Sequence, residues 1–133
     1  MRTARLLIVV VGVLLPYLVR LPRGWVWVDQ YQPFAWQASL LVSGCNAIVW
    51  IALLLVSLAY RYPVSLWLPV MAGFGFAGYW HAVTDLSADA QAAIALVLIP
   101  VYALGPIAIG GLLGYGLDRW LRWRDREMVN PKG

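Results

Sequence analysis

Residues 92–117 read AAIALVLIPVYALGPIAIGGLLGYGL. This run contains no charged residue, and it is longer than the roughly 20 apolar residues that an α-helix needs to cross a bilayer. Three further apolar runs precede it, at about residues 6–19, 38–60 and 64–83. The sequence therefore predicts an all-α integral membrane protein, a four-transmembrane-helix bundle that forms one domain over residues 1–133.

The composition of the whole chain agrees with this prediction. Of its 133 residues, 62% are hydrophobic and 12% are charged, and the mean hydropathy is +0.74. A soluble domain of this size cannot bury so much apolar surface. The net charge of +4 is typical of basic residues that flank membrane spans, so we expect no nucleic-acid partner. Cys45 is the only cysteine, which excludes an intrachain disulfide and a CxxC motif.

The N-terminus has the basic and then apolar layout of a signal peptide. The residues that follow the first apolar run are Arg20-Leu-Pro-Arg23, without the small residues of a cleavage site, so we expect a retained first span. Pro16 should kink this span, and the Arg20 side chain should snorkel to the headgroups.

An aromatic-rich segment connects spans one and two. Aromatic rings with a polar atom prefer the boundary between water and membrane, which predicts that this segment lies along the membrane surface. Its aromatic residues are Trp25, Trp27, Tyr31, Phe34 and Trp36.

The distribution of basic residues predicts the topology, because cytoplasmic loops carry the excess of Lys and Arg. If both ends are cytoplasmic, eight of the ten basic residues lie inside, with three acidic residues, for a net charge of +5. The outer side then holds two basic and three acidic residues, net −1. We therefore expect a multi-pass protein of the cytoplasmic (inner) membrane. The inner basic residues are Arg2, Arg5, Arg61, Arg119, Arg122, Arg124, Arg126 and Lys132; the outer charges are Arg20, Arg23, Asp29, Asp85 and Asp89.

Small residues recur at four-residue spacing in the spans. Gly110 and Gly114 form a GxxxG motif, Gly73 and Ala77 have the same spacing, and Ser43 belongs to a similar row in span two. Such rows let helix backbones approach closely in lipid. Packing within the monomer is favoured over a contact between copies of the chain.

Asn46 is the only amide deep inside a predicted span. Such a group must find a hydrogen-bond partner in the bundle or in another subunit, and we favour this role over a solute site.

Pro100, Gly105 and Pro106 interrupt span four. Broken helices line substrate sites in transporters, but a simple kink is favoured, because no acidic residue lies inside a span.

Two polar groups mark the span ends. His81 and Asp85 are four residues apart and could meet on one helical face as an outer polar site, although one His and one carboxylate make a poor metal site.

The tail over residues 118–133 carries four arginines beside two tryptophans, which predicts contact with anionic lipid headgroups. These arginines are Arg119, Arg122, Arg124 and Arg126.

Two classes of function stay open. The sequence offers no catalytic dyad, metal cluster or phosphate loop, so an enzyme is the least expected class, and we expect no cofactor or metal. The favoured class is a non-catalytic binding protein, either an accessory subunit of a membrane complex or an immunity-type protector against a membrane-active toxin. Its partner would be another membrane protein or a second copy of the chain. The alternative is a small oligomeric channel or transporter for an ion or small solute.

Overall fold

The computed structural model describes residues 1–31, 35–88 and 91–129, and this part of the chain is all-helical, without a strand. The prediction of an all-α protein is therefore confirmed. Phe34, Asp89 and Lys132, which belong to the predicted aromatic segment and charge pattern, lie outside the described residues. The helices are α1 (Arg2–Arg20), α2 (Trp25–Asp29), α3 (Trp36–Ser57), α4 (Trp67–Val83) and α5 (Ala92–Val129), with 3-10 turns at Leu21–Arg23 and Pro63–Leu66.

Three helical segments of the described chain are long and apolar enough to cross a membrane: Arg2–Arg23, Trp36–Ser57 and Ala92–Met128. They are compatible with a multi-pass membrane protein. The predicted third span is divided, because Pro63–Leu66 is a 3-10 turn and only Trp67–Val83 is α-helical.

The fourth predicted span is continuous with the basic tail. α5 runs without a break through Pro100 and Pro106 as far as Val129. Proline is tolerated in apolar helices where neighbouring helices and local adjustments satisfy the freed carbonyl groups. The two prolines therefore do not divide α5 into two helices.

The long helices pack side by side. α5 lies along α4 and α3, and α1 lies against α3 and α4. Gly73 of α4 faces Ile107 of α5, whereas Leu68, nearer the start of α4, faces Gly110. The two helices are therefore antiparallel. Their shared core includes Ala77 and Ala103, which are fully buried, and most of the exposed side chains around it are large and apolar. The exposed residues include Leu6, Leu40, Leu55, Met71, Ile109 and Leu112.

Candidate functional site

Arg20, the last residue of α1, is fully buried. One terminal nitrogen donates to the Trp27 carbonyl oxygen at 3.3 Å and to Gln30 Oε1 at 3.5 Å, and the other donates to the Thr84 carbonyl oxygen at 3.1 Å. The expectation that Arg20 snorkels to the headgroups is wrong, because α2 and the residues after α4 fold over it. All of these acceptors are neutral, and Arg20 Nε has no hydrogen-bond partner among the described residues.

Aromatic rings complete the surroundings of Arg20. Its guanidinium lies 5.8 Å from the Trp27 ring centre and 6.0 Å from that of Tyr31. Tyr31 makes edge contacts with Tyr17 at 5.1 Å and with His81 at 5.5 Å. Burial raises the pKa of the Tyr31 hydroxyl, so this group stays uncharged at neutral pH.

His81, near the end of α4, is the second residue of this region with an incomplete set of hydrogen bonds. It is 2% exposed, and its Nδ1 has no hydrogen-bond partner among the described residues. Arg20, Gln30, Tyr31, His81 and Thr84 together are called the Arg20 cluster below. The cluster holds two buried nitrogen atoms that the described residues leave without a partner.

Asp85 lies beside the Arg20 cluster, and its charge attracts the Arg20 guanidinium, but the two side chains form no ion pair in the described structure. α4 ends at Val83, so Asp85 belongs to the following turn rather than to the helical face of His81. Its Oδ1 accepts hydrogen bonds from the Ser87 hydroxyl at 2.7 Å and the Ser87 backbone N–H at 2.9 Å. These bonds hold the pKa of Asp85 below its usual value. The expected His81–Asp85 contact is therefore replaced by a local turn.

A second buried charge, Asp118 of α5, lies against the turn that precedes α4. Its Oδ1 accepts from the backbone N–H groups of Arg61 at 2.9 Å and Tyr62 at 2.8 Å, and its Oδ2 accepts from Arg122 Nε at 2.6 Å. Arg122 also donates to the Ala59 carbonyl oxygen at 2.9 Å. Asp118, Arg61, Tyr62, Arg122 and Ala59 are called the Asp118 cluster below. In this cluster, both oxygen atoms of the buried carboxylate accept hydrogen bonds.

The four arginines expected at lipid headgroups divide into two groups. Arg122 belongs to the Asp118 cluster and forms an ion pair with Asp118. Arg119, Arg124 and Arg126 are exposed, and the Arg124 guanidinium lies 5.1 Å from the Trp120 ring centre. Arg119, Arg124 and Arg126 are therefore exposed enough to contact lipid headgroups.

Asn46 lies between α1 and α3. It is buried, and its Nδ2 donates to the Gly12 carbonyl oxygen at 2.9 Å. Ser43, which belongs to the predicted small-residue row of span two, is exposed on α3. The amide nitrogen therefore contacts the backbone of a neighbouring helix in the same chain, while Ser43 stays available to other molecules.

The predicted glycine positions of α4 and α5, unlike Ser43, lie at close approaches within the chain. A Cβ added at Gly114 would lie 2.5 Å from the Ser65 carbonyl oxygen, and one at Gly110 would lie 2.8 Å from that of Leu68. A Cβ at Gly73 would lie 2.5 Å from Ile107 Cγ1. The backbones of α5 and of the α4 region approach so closely only because these residues are glycine.

An apolar groove of about 640 Å³ lies between the first halves of α1 and α4 and includes the turn before α4. Among the described residues that line it, polar side-chain atoms come only from Thr3 and the Trp67 indole. Its apolar walls include Ile8, Val11, Leu66, Val70, Met71 and Phe74.

No group of three or more His, Cys, Asp or Glu side chains in the described part of the chain could hold a metal ion. The chain matches no known family model, no curated protein and no solved structure. Its physical class is that of an all-helical protein with helices able to cross a membrane.

Sequence reasoning did not single out Arg20 or Asp118 as site residues. Both are charges at the ends of apolar runs, a position where exposure to headgroups is the ordinary expectation. A signal for Arg20 was present in the aromatic residues that follow it, because arginine stacks well on aromatic rings. A signal for Asp118 was its spacing of four residues from Arg122, which permits an ion pair on one helical face.

Proposed function

We propose that this chain is a non-catalytic binding protein of the cytoplasmic (inner) membrane. It binds another membrane protein within the bilayer, as an accessory subunit of a membrane complex or as an immunity-type protector against a membrane-active toxin. The observation that carries this proposal is the Arg20 cluster, where a fully buried guanidinium meets only neutral acceptors among the described residues.

A buried guanidinium with no anion in hydrogen-bond contact is energetically unfavourable, because its water has been removed and the nearby charge of Asp85 compensates only in part. The contact to Gln30 Oε1, at 3.5 Å, is the longest of its hydrogen bonds and is therefore weak. A carboxylate from a partner could replace Gln30 there and form a charge-assisted pair, which is roughly twice as strong as a neutral hydrogen bond.

The residues of α2, which cover the Arg20 cluster, have the properties of a surface that binds a partner. α2 has only five residues, so its stability depends on what it packs against. Two of its apolar side chains, Trp25 and Val26, are more than 70% exposed. Exposed aromatic residues that surround a buried charge are typical of protein interfaces.

Four spans with both ends in the cytoplasm are part of the proposal. The 3-10 turn and α4 together cover Pro63–Val83, which at the usual rise per residue is about 33 Å, enough to cross the hydrocarbon core. A reporter fused after Lys132 should be cytoplasmic, and one inserted between Asp85 and Asp89 should be extracytoplasmic. Reporters on the same side would exclude this topology.

The transport alternative has less support. Asn46, the amide expected to contact a solute, already donates to Gly12. In the described structure, the buried Arg20, Ser57 and His81 lie near the ends of their helices, and Asp118 lies just after the uncharged residues 92–117 of α5. A conducting path needs polar groups along its length.

Co-purification tests the binding proposal. The tagged chain, extracted in mild detergent, should retain one stoichiometric membrane partner. Arg20→Gln should reduce its recovery about 30-fold or more, because losing one member of a buried charge pair costs about 2 kcal/mol or more. The matched control is Arg23→Gln, which removes an exposed arginine that stacks on the same Trp27 ring at 4.4 Å. Equal recovery with both variants, or no stoichiometric partner, would contradict the proposal.

A further inference from the structure

The apolar groove between α1 and α4 has a limited depth. Its walls extend from Met1 to Val11 on one side and from Pro63 to Gly75 on the other. Ten helical steps cover about 15 Å, which is half of the roughly 30 Å hydrocarbon core. Because α1 is long and apolar enough to cross a membrane, the groove spans the depth of one leaflet.

The groove closes where the two helices come together. A Cβ at Gly78 would lie 3.4 Å from Val19 Cγ1 and 3.6 Å from Leu15 Cδ1, so the second halves of α4 and α1 are in contact. The first halves diverge. A spanning helix of a partner needs a contact surface through the whole bilayer, whereas one lipid chain needs a surface through one leaflet.

The mouth of the groove is basic. Met1 and Pro63 line it, and Arg2 and Arg61 lie one and two residues from them. Both arginines are exposed, and neither guanidinium has an ion-pair partner among the described residues. Arginine at headgroup depth attracts anionic lipid.

From this depth, lining and charge, we infer that the groove is a specific lipid site. It holds an acyl chain of one anionic phospholipid, whose phosphate group lies at Arg2 and Arg61. This site is distinct from the Arg20 cluster, which lies at the other end of α1 and α4, and it does not depend on the protein partner proposed above.

Native mass spectrometry of the full chain tests this inference. The chain is reconstituted in vesicles of equal parts phosphatidylglycerol and phosphatidylcholine. It is then extracted with a mild detergent and released from the detergent in the mass spectrometer. We expect each monomer to retain one phosphatidylglycerol. Gly75→Leu places a side chain into the groove at a position with no atom within 4 Å of a new Cβ. It should lower lipid retention about tenfold, the loss expected when roughly two methylene groups leave the groove.

The matched control is Gly105→Leu. Gly105 also has no atom within 4 Å of a new Cβ, but it lies on α5, away from the groove, so lipid retention should stay at the wild-type level. Equal retention by the two variants, or a lipid-free dimer that Gly75→Leu dissociates, would overturn the inference. The dimer would identify a second copy of the chain as the occupant.

The headgroup contact has a separate test that does not alter the groove. The double variant Arg2→Gln, Arg61→Gln should still retain one lipid per monomer. Its preference for phosphatidylglycerol should disappear, so that both lipids are retained about equally, because the amides carry no charge. An unchanged preference for phosphatidylglycerol would show that these arginines do not hold the headgroup.

Discussion

Arg20 and Asp118 are both fully buried charges, and they lie at opposite ends of α4. Asp118 accepts hydrogen bonds from two backbone N–H groups and forms an ion pair with Arg122. Arg20 donates only to neutral oxygens in the described structure, and its Nε has no partner there.

This difference supports a structural role for Asp118 and the binding role proposed for Arg20. A buried charge with its hydrogen bonds and counter-ion complete stabilises the contact between the elements that hold it. A buried charge without them costs free energy, and a ligand that supplies the missing anion recovers that cost. The Asp118 cluster therefore fixes the turn between α3 and α4 against α5, and the Arg20 cluster is suited to a partner.

The largest effect should come from Gly114, next to the Asp118 cluster. Gly114→Leu forces a side chain into the Ser65 carbonyl and the Tyr60 hydroxyl, where even a Cβ would lie within 2.6 Å. We expect a loss of about 3 kcal/mol or more of unfolding free energy, since backbone must move. Thermal melting in detergent measures it. Gly116→Leu, at an open position of the same helix, should melt near wild type. Equal melting of the two variants would contradict a tight contact between α5 and the turn before α4.

The Asp118 carboxylate comes next. Asp118→Asn keeps the size of the side chain but removes the charge that pairs with Arg122. We expect the unfolding free energy to fall by about 2 kcal/mol, the usual contribution of a hydrogen bond to a charged group. Glu127→Gln is a control on the same helix, at an exposed carboxylate. An equal or larger loss from Glu127→Gln would show that the Asp118 charge has no special role in stability.

A smaller effect is expected for Asn46, which lies away from both clusters. Asn46→Ala removes the hydrogen bond to the Gly12 carbonyl oxygen and should cost about 1 kcal/mol, within the range measured for polar contacts between membrane helices. Reconstituted liposomes should stay impermeable with wild type and variant alike. An ion or solute flux that depends on Asn46 would instead support the transport alternative.

The smallest effect concerns Asp85, at the edge of the Arg20 cluster. Hydrogen bonds from Ser87 hold the pKa of Asp85 below the usual value of an aspartate, so folding favours the ionised form. The resulting stability is present above the pKa of the unfolded chain and is lost as pH falls through the lower folded pKa. Asp85→Asn should therefore flatten the decline in melting temperature on acidification below about pH 4. An identical decline in wild type and variant would mean that Asp85 is not responsible.

The helical architecture could be predicted because long apolar runs have few alternatives in a membrane. The predicted span 38–60 corresponds to Trp36–Ser57, and the predicted start of span four at Ala92 is the start of α5. Hydropathy alone ends span four near Leu117, whereas α5 continues to Val129. The helix propensity of the basic tail permits this continuation, although the tail is polar.

The two charged clusters could not be derived from the sequence in the same way. Each depends on contacts between residues far apart in the chain, such as Arg20 with Thr84 and Asp118 with Arg61. A helix that is apolar around its whole circumference gives little indication of which face meets which neighbour. The small-residue rows were readable because only glycine permits such approaches, whereas the burial of Arg20 follows from the position of α2.

The central claim is that the Arg20 charge is held for a partner and does little for the fold. Its most direct test is the melting temperature of the free chain, purified without a partner, for Arg20→Gln beside Asp118→Asn. The glutamine amide can still donate to a neutral oxygen, and removing an unpaired buried charge also removes an unfavourable desolvation cost. Arg20→Gln should therefore lower the melting temperature by less than half as much as Asp118→Asn. A loss equal to or larger than that of Asp118→Asn would show that Arg20 is a structural residue and would contradict the claim.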